Sequence, residues 1–185
     1  MSMKLTFRVG RRILGGTALV CAAGLLPGTA MASAVTPAKS GGVAWGIPRC
    51  RANQTLTWLG VGLGGGTAGT IFYPLEFTNI SRRSCTLWGY PRVSAISQSG
   101  RQIGKSSRHF PARHRVVTLP PGWTAHAALG IVEAGNVCSR PVTAAGLKVH
   151  APGQGNATRL PFQFQACWHK RVLVAGPVQP GVGIP

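Results

Sequence analysis

"FTNISRRSCTLWGYPRVSAI", from Phe77 to Ile96, is the stretch that decides the fold class. An apolar strand ends near its start, a polar turn follows, and Cys85 then stands shortly before the corner Gly89-Tyr90-Pro91. The residue before a proline is pushed out of the helical region, which suits a bend between two strands. The stretch contains no acid and no histidine. We therefore predict a structural role: a corner fixed by a disulfide, with Leu87 and Trp88 packed beside the bridge.

Short apolar or alternating runs recur on both sides of this stretch, between breaks rich in glycine, proline and serine. The predicted strands are residues 55–63, 70–80, 92–97, 115–119, 123–132, 146–152, 160–168 and 171–178. No long run with the 3.6-residue period of a helix follows the N-terminal segment. We predict an all-β fold, an immunoglobulin-like antiparallel β-sandwich of about seven to eight strands.

Two local signals refine the strand prediction. Pro74 lies inside the run 70–80, and since proline donates no hydrogen bond it predicts an edge strand or a bulge there. Pro120-Pro121-Gly122 predicts a tight turn, with proline at the corner and glycine where a positive φ is needed.

The N-terminus has the pattern of a secretory signal peptide. Four Lys and Arg residues precede the uncharged apolar stretch Ile13–Leu26, and small residues follow it. We predict a signal peptide over residues 1–32, with cleavage after Ala32 or after Ala34. A retained membrane anchor is the alternative, although the apolar stretch is shorter than the roughly 20 residues that a spanning helix needs. Arg11-Arg12 leaves both the general and the twin-arginine export routes open.

The rest of the chain divides into three segments. Residues 33–48 are rich in Gly, Ala and Ser without periodicity, which predicts a flexible leader. The predicted sandwich domain covers residues 49–178, and residues 179–185 are left as a C-terminal tail.

The charge balance is strongly basic. The chain has twenty Lys and Arg but only two acids, Glu76 and Glu133, for a net charge of +18. Without the four cations of the predicted signal, sixteen against two leave +14. Such a balance predicts attraction to anionic surfaces and says nothing about the fold.

The shortage of acids also argues against an enzyme. With no Asp, a Ser-His-Asp triad is excluded, and a glycosidase-like pair needs Glu76 and Glu133 to face each other across a cleft. We expect Glu76 to face solvent or to pair with an arginine. The sequence favours a non-enzymatic protein without a cofactor, and an uncharacterised hydrolase stays the weaker alternative.

Four cysteines remain once Cys21 of the predicted signal is set aside. An even number in an exported chain is typical of two disulfides, and no pair has the C-x-x-C spacing of a zinc site. Of the three possible pairings we favour the one that joins sequence neighbours. It links Cys50 with Cys85 and Cys138 with Cys167. His109 and His114 lie among arginines, so weak metal binding by the histidines is a minor alternative.

The basic loop, residues 104–115 ("GKSSRHFPARHR"), is the candidate functional surface. It is too polar and too interrupted by proline to be core, so we predict that it is exposed and mobile. The candidate anion-binding residues are Lys105, Arg108, Phe110 as an apolar anchor, Arg113 and Arg115. The sequence does not identify a partner. If the loop is a functional surface, we expect an anionic cell-wall polymer or lipid and no specific nucleic acid, and a merely solvated loop is the alternative.

The chain resembles a known family in three places. "FTNISRRSCTLWGYPRVSAI", "VTLPPGWTAHAAL" (residues 117–129) and "AAGLKVHAPG" (residues 144–153) are similar to the DUF4232 family, an exported actinobacterial domain of unknown function. The resemblance runs from Cys50 to about Pro177. It implies a secreted or lipid-anchored β-sandwich of the cell envelope and no particular activity.

This chain departs from the lipid-anchored form, since Val20 stands before Cys21 where a lipid-attachment motif needs a small residue. The expected function is therefore an uncharacterised secreted, disulfide-stabilised, non-enzymatic module of the envelope or the extracellular space.

Overall fold

The computed structural model describes residues 46–61, 66–67 and 69–183. The predicted signal peptide, residues 1–32, lies outside the described residues, as do residues 33–45 of the predicted leader. Within the described part, none of the helices has the length and apolar character needed to cross a membrane.

The described residues form an all-β fold, as predicted. The strands are β1 (Thr55–Leu59), β2 (Gly66–Thr67), β3 (Thr70–Asn79), β4 (Cys85–Leu87), β5 (Arg92–Ile96), β6 (Gln102–Ile103), β7 (Arg108–His109), β8 (Val117–Leu119), β9 (Thr124–Val132), β10 (Val142–His150), β11 (Thr158–Ala166), β12 (Leu173–Ala175) and β13 (Gln179–Pro180). Two 3-10 helices, Ala52–Gln54 and Ala134–Asn136, complete the elements. Each of the eight predicted strands has a counterpart, and the additional strands have two or three residues.

Two main sheets and one small sheet share a single core. The larger sheet has the order β1-β3-β9-β12-β7, with β2 paired to β3 and β13 paired to β9. The second has the order β11-β10-β5-β6, and β4 pairs with β8. All pairs are antiparallel except β12 with β7. Phe77 and Leu129 of the larger sheet and Val93 and Leu147 of the second are fully buried in one cluster, so the sheets form a sandwich.

Strand β3 lies inside the larger sheet, yet Pro74 is tolerated there. Strand β1 ends at Leu59, opposite Leu75, and the Gly60 N–H just beyond it donates to the Pro74 carbonyl at 2.8 Å. The nitrogen of Pro74 therefore points past the end of β1, where no donor is needed. The predicted edge strand or bulge is wrong, because β3 has β1 on one side and β9 on the other and its register does not shift at Pro74.

Both disulfides join the pairs favoured from the sequence. Cys50 bridges to Cys85 with a Cα–Cα distance of 4.8 Å, and Cys138 bridges to Cys167 at 6.2 Å. The first bridge ties the chain before β1 to β4. The second ties the segment after β9 to the residue that follows β11.

The predicted proline-glycine turn joins β8 to β9. The Trp123 N–H donates to the Pro120 carbonyl at 3.1 Å, and Gly122 has φ of 77°. A proline followed by a residue with positive φ is the pattern of a type II turn.

Strand β10 begins at Val142, four residues before its predicted start. Small residues open it, and the register shifts between Ala144 and Gly146 against β11. This bulge explains why the alternation that signals a strand is not visible there.

Candidate binding groove

A groove of about 490 Å³ lies on the outer face of the larger sheet, the face turned away from the core. Side chains alternate between the two faces of a strand. On β3, Leu75 and Phe77 enter the core, whereas Phe72, Pro74 and Glu76 face outward. The outer face of an antiparallel sheet is usually polar and solvated, so an apolar groove there is unexpected.

Three parts of the chain build the groove. The floor consists of Phe72, His126, Ala128 and Val174. One wall comes from the basic loop through Phe110, Ala112 and Arg115, and the other from the C-terminal segment, residues 176–183, through Gly176, Pro177, Gln179 and Pro180.

Gly130 gives the floor its shape. It lies opposite Phe72 on β3 and opposite Val174 on β12. A Cβ atom at Gly130 would lie 2.9 Å from Cε1 of Phe72, which is closer than such atoms approach. The missing side chain lets the Phe72 ring lie over the strand.

The C-terminal segment continues β12 along β9. The Gly176 N–H donates to the Ala128 carbonyl at 2.8 Å, and Gln179 of β13 then pairs with His126. Between these contacts Pro177 and Val178 lie opposite the single residue Ala127, which is a β-bulge, and the Val178 side chain is buried in the core. Residues 179–183, for which the sequence predicts a C-terminal tail, are thus bound to the sheet.

The basic loop is tied to the opposite side of β12. Strand β7 pairs with it in parallel, and the Phe110 N–H donates to the Ala175 carbonyl at 2.8 Å. Lys105 and residues 108–115 are exposed, as the sequence predicts, whereas Gly104, Ser106 and Ser107 are half-buried. The mobility of the loop stays a prediction.

The Gly89-Tyr90-Pro91 corner holds both walls. The Tyr90 hydroxyl donates to the Ala112 carbonyl at 2.6 Å, and its ring stacks on His109 with the centroids 4.3 Å apart. The Val178 N–H donates to the Gly89 carbonyl at 2.9 Å. The corner predicted to be structural therefore positions the loop wall through Tyr90 and the C-terminal wall through Gly89.

The structure brings together only part of the predicted anion-binding set. Arg115 and Phe110 line the groove. Arg113 lies beside Tyr90 and His114 in an adjoining shallow depression. Arg108 and Lys105 are exposed on the same loop but do not line the groove.

Glu76 is fully buried, so the expectation that it faces solvent or pairs with an arginine is wrong. The Gly183 N–H donates to its Oε1 at 2.7 Å, while Oε2 has no partner among the described residues. Burial raises the pKa of Glu76, and the Gly183 hydrogen bond and nearby His126 oppose this in part. His126 lies opposite on β9, and its Nδ1–H donates to the Gly181 carbonyl at 3.0 Å. Glu76 is buried because the C-terminal segment covers it, and the sequence around Glu76 does not predict this distant contact.

The two carboxylates do not form a catalytic pair. Strands β3 and β9 pair Glu76 with His126 and Thr70 with Val132, and Glu133 follows Val132. At the rise of a strand, Glu133 lies about 20 Å along the sheet from Glu76. Inverting glycosidases hold their carboxylates roughly 6.5–9.5 Å apart and retaining ones closer. Glu76 and Glu133 therefore do not have the spacing of a glycosidase pair.

In the part of the chain that the structure describes, no three His, Cys, Asp or Glu side chains lie close enough together to hold a metal ion. His109 and His114 instead pack on Tyr90, with centroids 4.3 and 5.4 Å from its ring.

Comparison with known proteins gives a family and no described function. A family model described as a domain of unknown function (DUF4232) matches residues 50–179, which is more than half of the chain. No curated protein and no solved structure matches the chain. The immunoglobulin-like topology of the sandwich therefore stays a prediction.

Proposed function

The chain belongs to the DUF4232 family, and we propose that this disulfide-stabilised module is a non-enzymatic binding protein, exported to the envelope or the extracellular space, for an anionic partner. The partner approaches the face formed by the groove and the basic loop. It is an anionic component of the envelope, a wall polymer or a lipid.

The observation that carries this proposal is the apolar groove with Arg115 in its wall. Binding sites are concave and mostly apolar, with a few polar groups that fix the ligand. The groove has this composition, and the loop that forms its wall adds Lys105, Arg108 and Arg113 without any acid. Among the residues that the structure describes, the carboxylate next to the groove is that of Glu76, which is buried behind the C-terminal segment.

Export is supported by the two disulfides and by the predicted signal peptide. Disulfides persist in oxidising compartments and are rare in a reducing cytosol. We expect the mature chain in the culture medium or wall fraction of a Gram-positive host to begin at residue 33 or 35. Mass spectrometry of its N-terminal peptide measures this, and an intact N-terminus would contradict cleavage.

The partner is tested by retention on vesicles of phosphatidylglycerol, with phosphatidylcholine vesicles as the neutral comparison, and on poly(glycerol phosphate). The variant Arg108→Ser/Arg113→Ser/Arg115→Ser should bind either anionic material at least tenfold more weakly at low salt. The matched control removes three exposed arginines elsewhere: Arg82→Ser, Arg140→Ser and Arg159→Ser.

Equal losses in the two triple variants would mean that attraction is spread over the whole basic surface. Retention by the wild type should also fall steeply as salt rises, because exposed charges are screened. Retention that is unaffected by salt would contradict an electrostatic partner.

A further inference from the structure

We propose that the groove binds a single-chain anionic amphiphile, with the apolar chain on the floor and the phosphate or carboxylate at Arg115. This inference deepens the proposed function and rests on it for the sign of the partner's charge. It adds the chemical class of the ligand, a lipid-like molecule, and the position of that ligand in the groove.

The apolar part of the ligand follows from the floor. Phe72, Ala128 and Val174 come from three adjacent strands and face outward together, where an antiparallel sheet usually presents polar side chains. Pro177 and Phe110 extend this surface up both walls. The volume of about 490 Å³ is that of a small-ligand site.

The shape of the groove favours one chain. Its floor runs along β9 from the His126 row to the Gly130 row, where Phe72 and Val174 lie. Four residues of a strand span about 14 Å, which an extended decyl chain together with its phosphate covers. The walls are fixed on both sides by the Gly89-Tyr90 corner, so the width is set by the fold.

The charged part follows from Arg115. It is the cationic side chain that lines the groove, and its planar guanidinium suits the bidentate recognition of phosphate or carboxylate. Arg113 stands two residues before it on the same wall, in the adjoining depression. A ligand lying on the floor therefore meets positive charge at the loop wall.

Calorimetric titration with decyl phosphate tests the proposal, at concentrations below micelle formation. We expect saturable one-to-one binding. Decyl maltoside, which has the same chain without the charge, should bind at least tenfold more weakly, and inorganic phosphate should not bind over the same range. Each methylene removed from the alkyl phosphate should weaken binding about fourfold.

Variants locate the ligand in the groove. Ala128→Phe fills the floor, and Ala112→Trp fills the loop wall at an exposed position that does not burden folding. Both should weaken decyl phosphate binding at least tenfold. Arg115→Ser should weaken decyl phosphate but leave decyl maltoside unchanged, whereas Arg159→Ser on the other sheet should leave both unchanged.

Several results would overturn the inference. Wild-type affinity for decyl phosphate in folded Ala112→Trp would place the ligand elsewhere, and equal affinity for the phosphate and the maltoside would remove Arg115 from the site. If inorganic phosphate bound as tightly as decyl phosphate, the alkyl chain would not contribute to binding. This result would refute the amphiphile and leave the proposed binding of an anionic partner standing. Retention on anionic vesicles without any decyl phosphate binding would likewise refute the groove and spare the proposed function.

Discussion

Removing either disulfide should cost the domain several kcal/mol of unfolding free energy, and the loop lengths set how much. The bridges join residues 35 and 29 positions apart. The loop-closure entropy that each removes from the unfolded chain amounts to about 3.8 kcal/mol for Cys50–Cys85 and about 3.6 kcal/mol for Cys138–Cys167 at 25 °C. These values are a large part of the roughly 5–15 kcal/mol by which a domain is stable.

The measurement is equilibrium unfolding in urea of two double variants, Cys50→Ala/Cys85→Ala and Cys138→Ala/Cys167→Ala. Alanine suits these sites because Cys50, Cys85 and Cys167 are buried and a hydroxyl would lack partners. With a denaturant slope of about 2 kcal/mol per molar urea, each midpoint should fall by nearly 2 M.

Nearly equal losses in the two variants are expected, because the two loops have nearly equal lengths. A loss below about 1 kcal/mol in either variant would show that its bridge does not act by restricting the unfolded chain. The wild type with excess reductant is the control, and it should match the variant that lacks all four cysteines. A reductant that has no effect even after it has acted on the urea-unfolded chain would mean that the bridges are not formed.

Three further perturbations probe the site and its frame. Burial raises the pKa of Glu76, so its contribution to stability is fully present below the carboxyl pKa of the unfolded chain and is lost as the pH rises through the higher folded pKa. The urea midpoint of the wild type, compared with that of Glu76→Gln, should therefore fall between pH 4 and pH 8. A relative rise would mean that burial does not raise the pKa of Glu76. Tyr90→Phe keeps the ring on His109 but removes the hydrogen bond to the Ala112 carbonyl, which should cost about 1 kcal/mol and speed amide exchange in residues 110–115; unchanged exchange there would mean that the hydroxyl does not hold the wall. Gly122→Ala forces a non-glycine residue to φ of 77° and should cost about 1 kcal/mol in urea unfolding; equal effects in the control Gly155→Ala, which has room for a Cβ, would refute a backbone cause.

The parts of the fold that the sequence predicts are those set by local chemistry. The run 123–132, which follows the proline-glycine turn and contains no proline or acid, becomes β9. Pro120-Pro121-Gly122 forms its turn because only its own backbone angles are involved. The disulfide pairing follows from sequence proximity, since short loops close most easily.

The parts that the sequence does not predict depend on distant segments. Glu76 occupies an outward position on β3, and period-two alternation alone exposes it; residues 181–183, more than a hundred positions later, bury it. The sequence predicts a corner and no strand at β4, because its three residues are too few to show alternation.

The candidate site was predicted only at its edge. The charge of the basic loop pointed to Arg115 and Phe110, but nothing local indicated that they face Ala128 and Val174 across a groove. A signal was present in β3 and β9, where Phe72 and Ala128 occupy positions that an exposed sheet usually gives to polar residues. This signal indicates a groove only once the strand register shows that Phe72 and Ala128 lie on the same face of the sheet.

The corner at Gly89 and Tyr90 also bears on how such a groove can diversify. Both wall contacts end on main-chain atoms, the Ala112 carbonyl and the Val178 N–H, so they do not depend on which side chains the walls carry. Substitutions at Phe110, Ala112 or Arg115 therefore leave the frame in place while they change what the groove accepts. A lineage that keeps the corner can therefore alter the charge and shape of the groove through a few wall substitutions, in the way that loops on a rigid scaffold acquire new specificities.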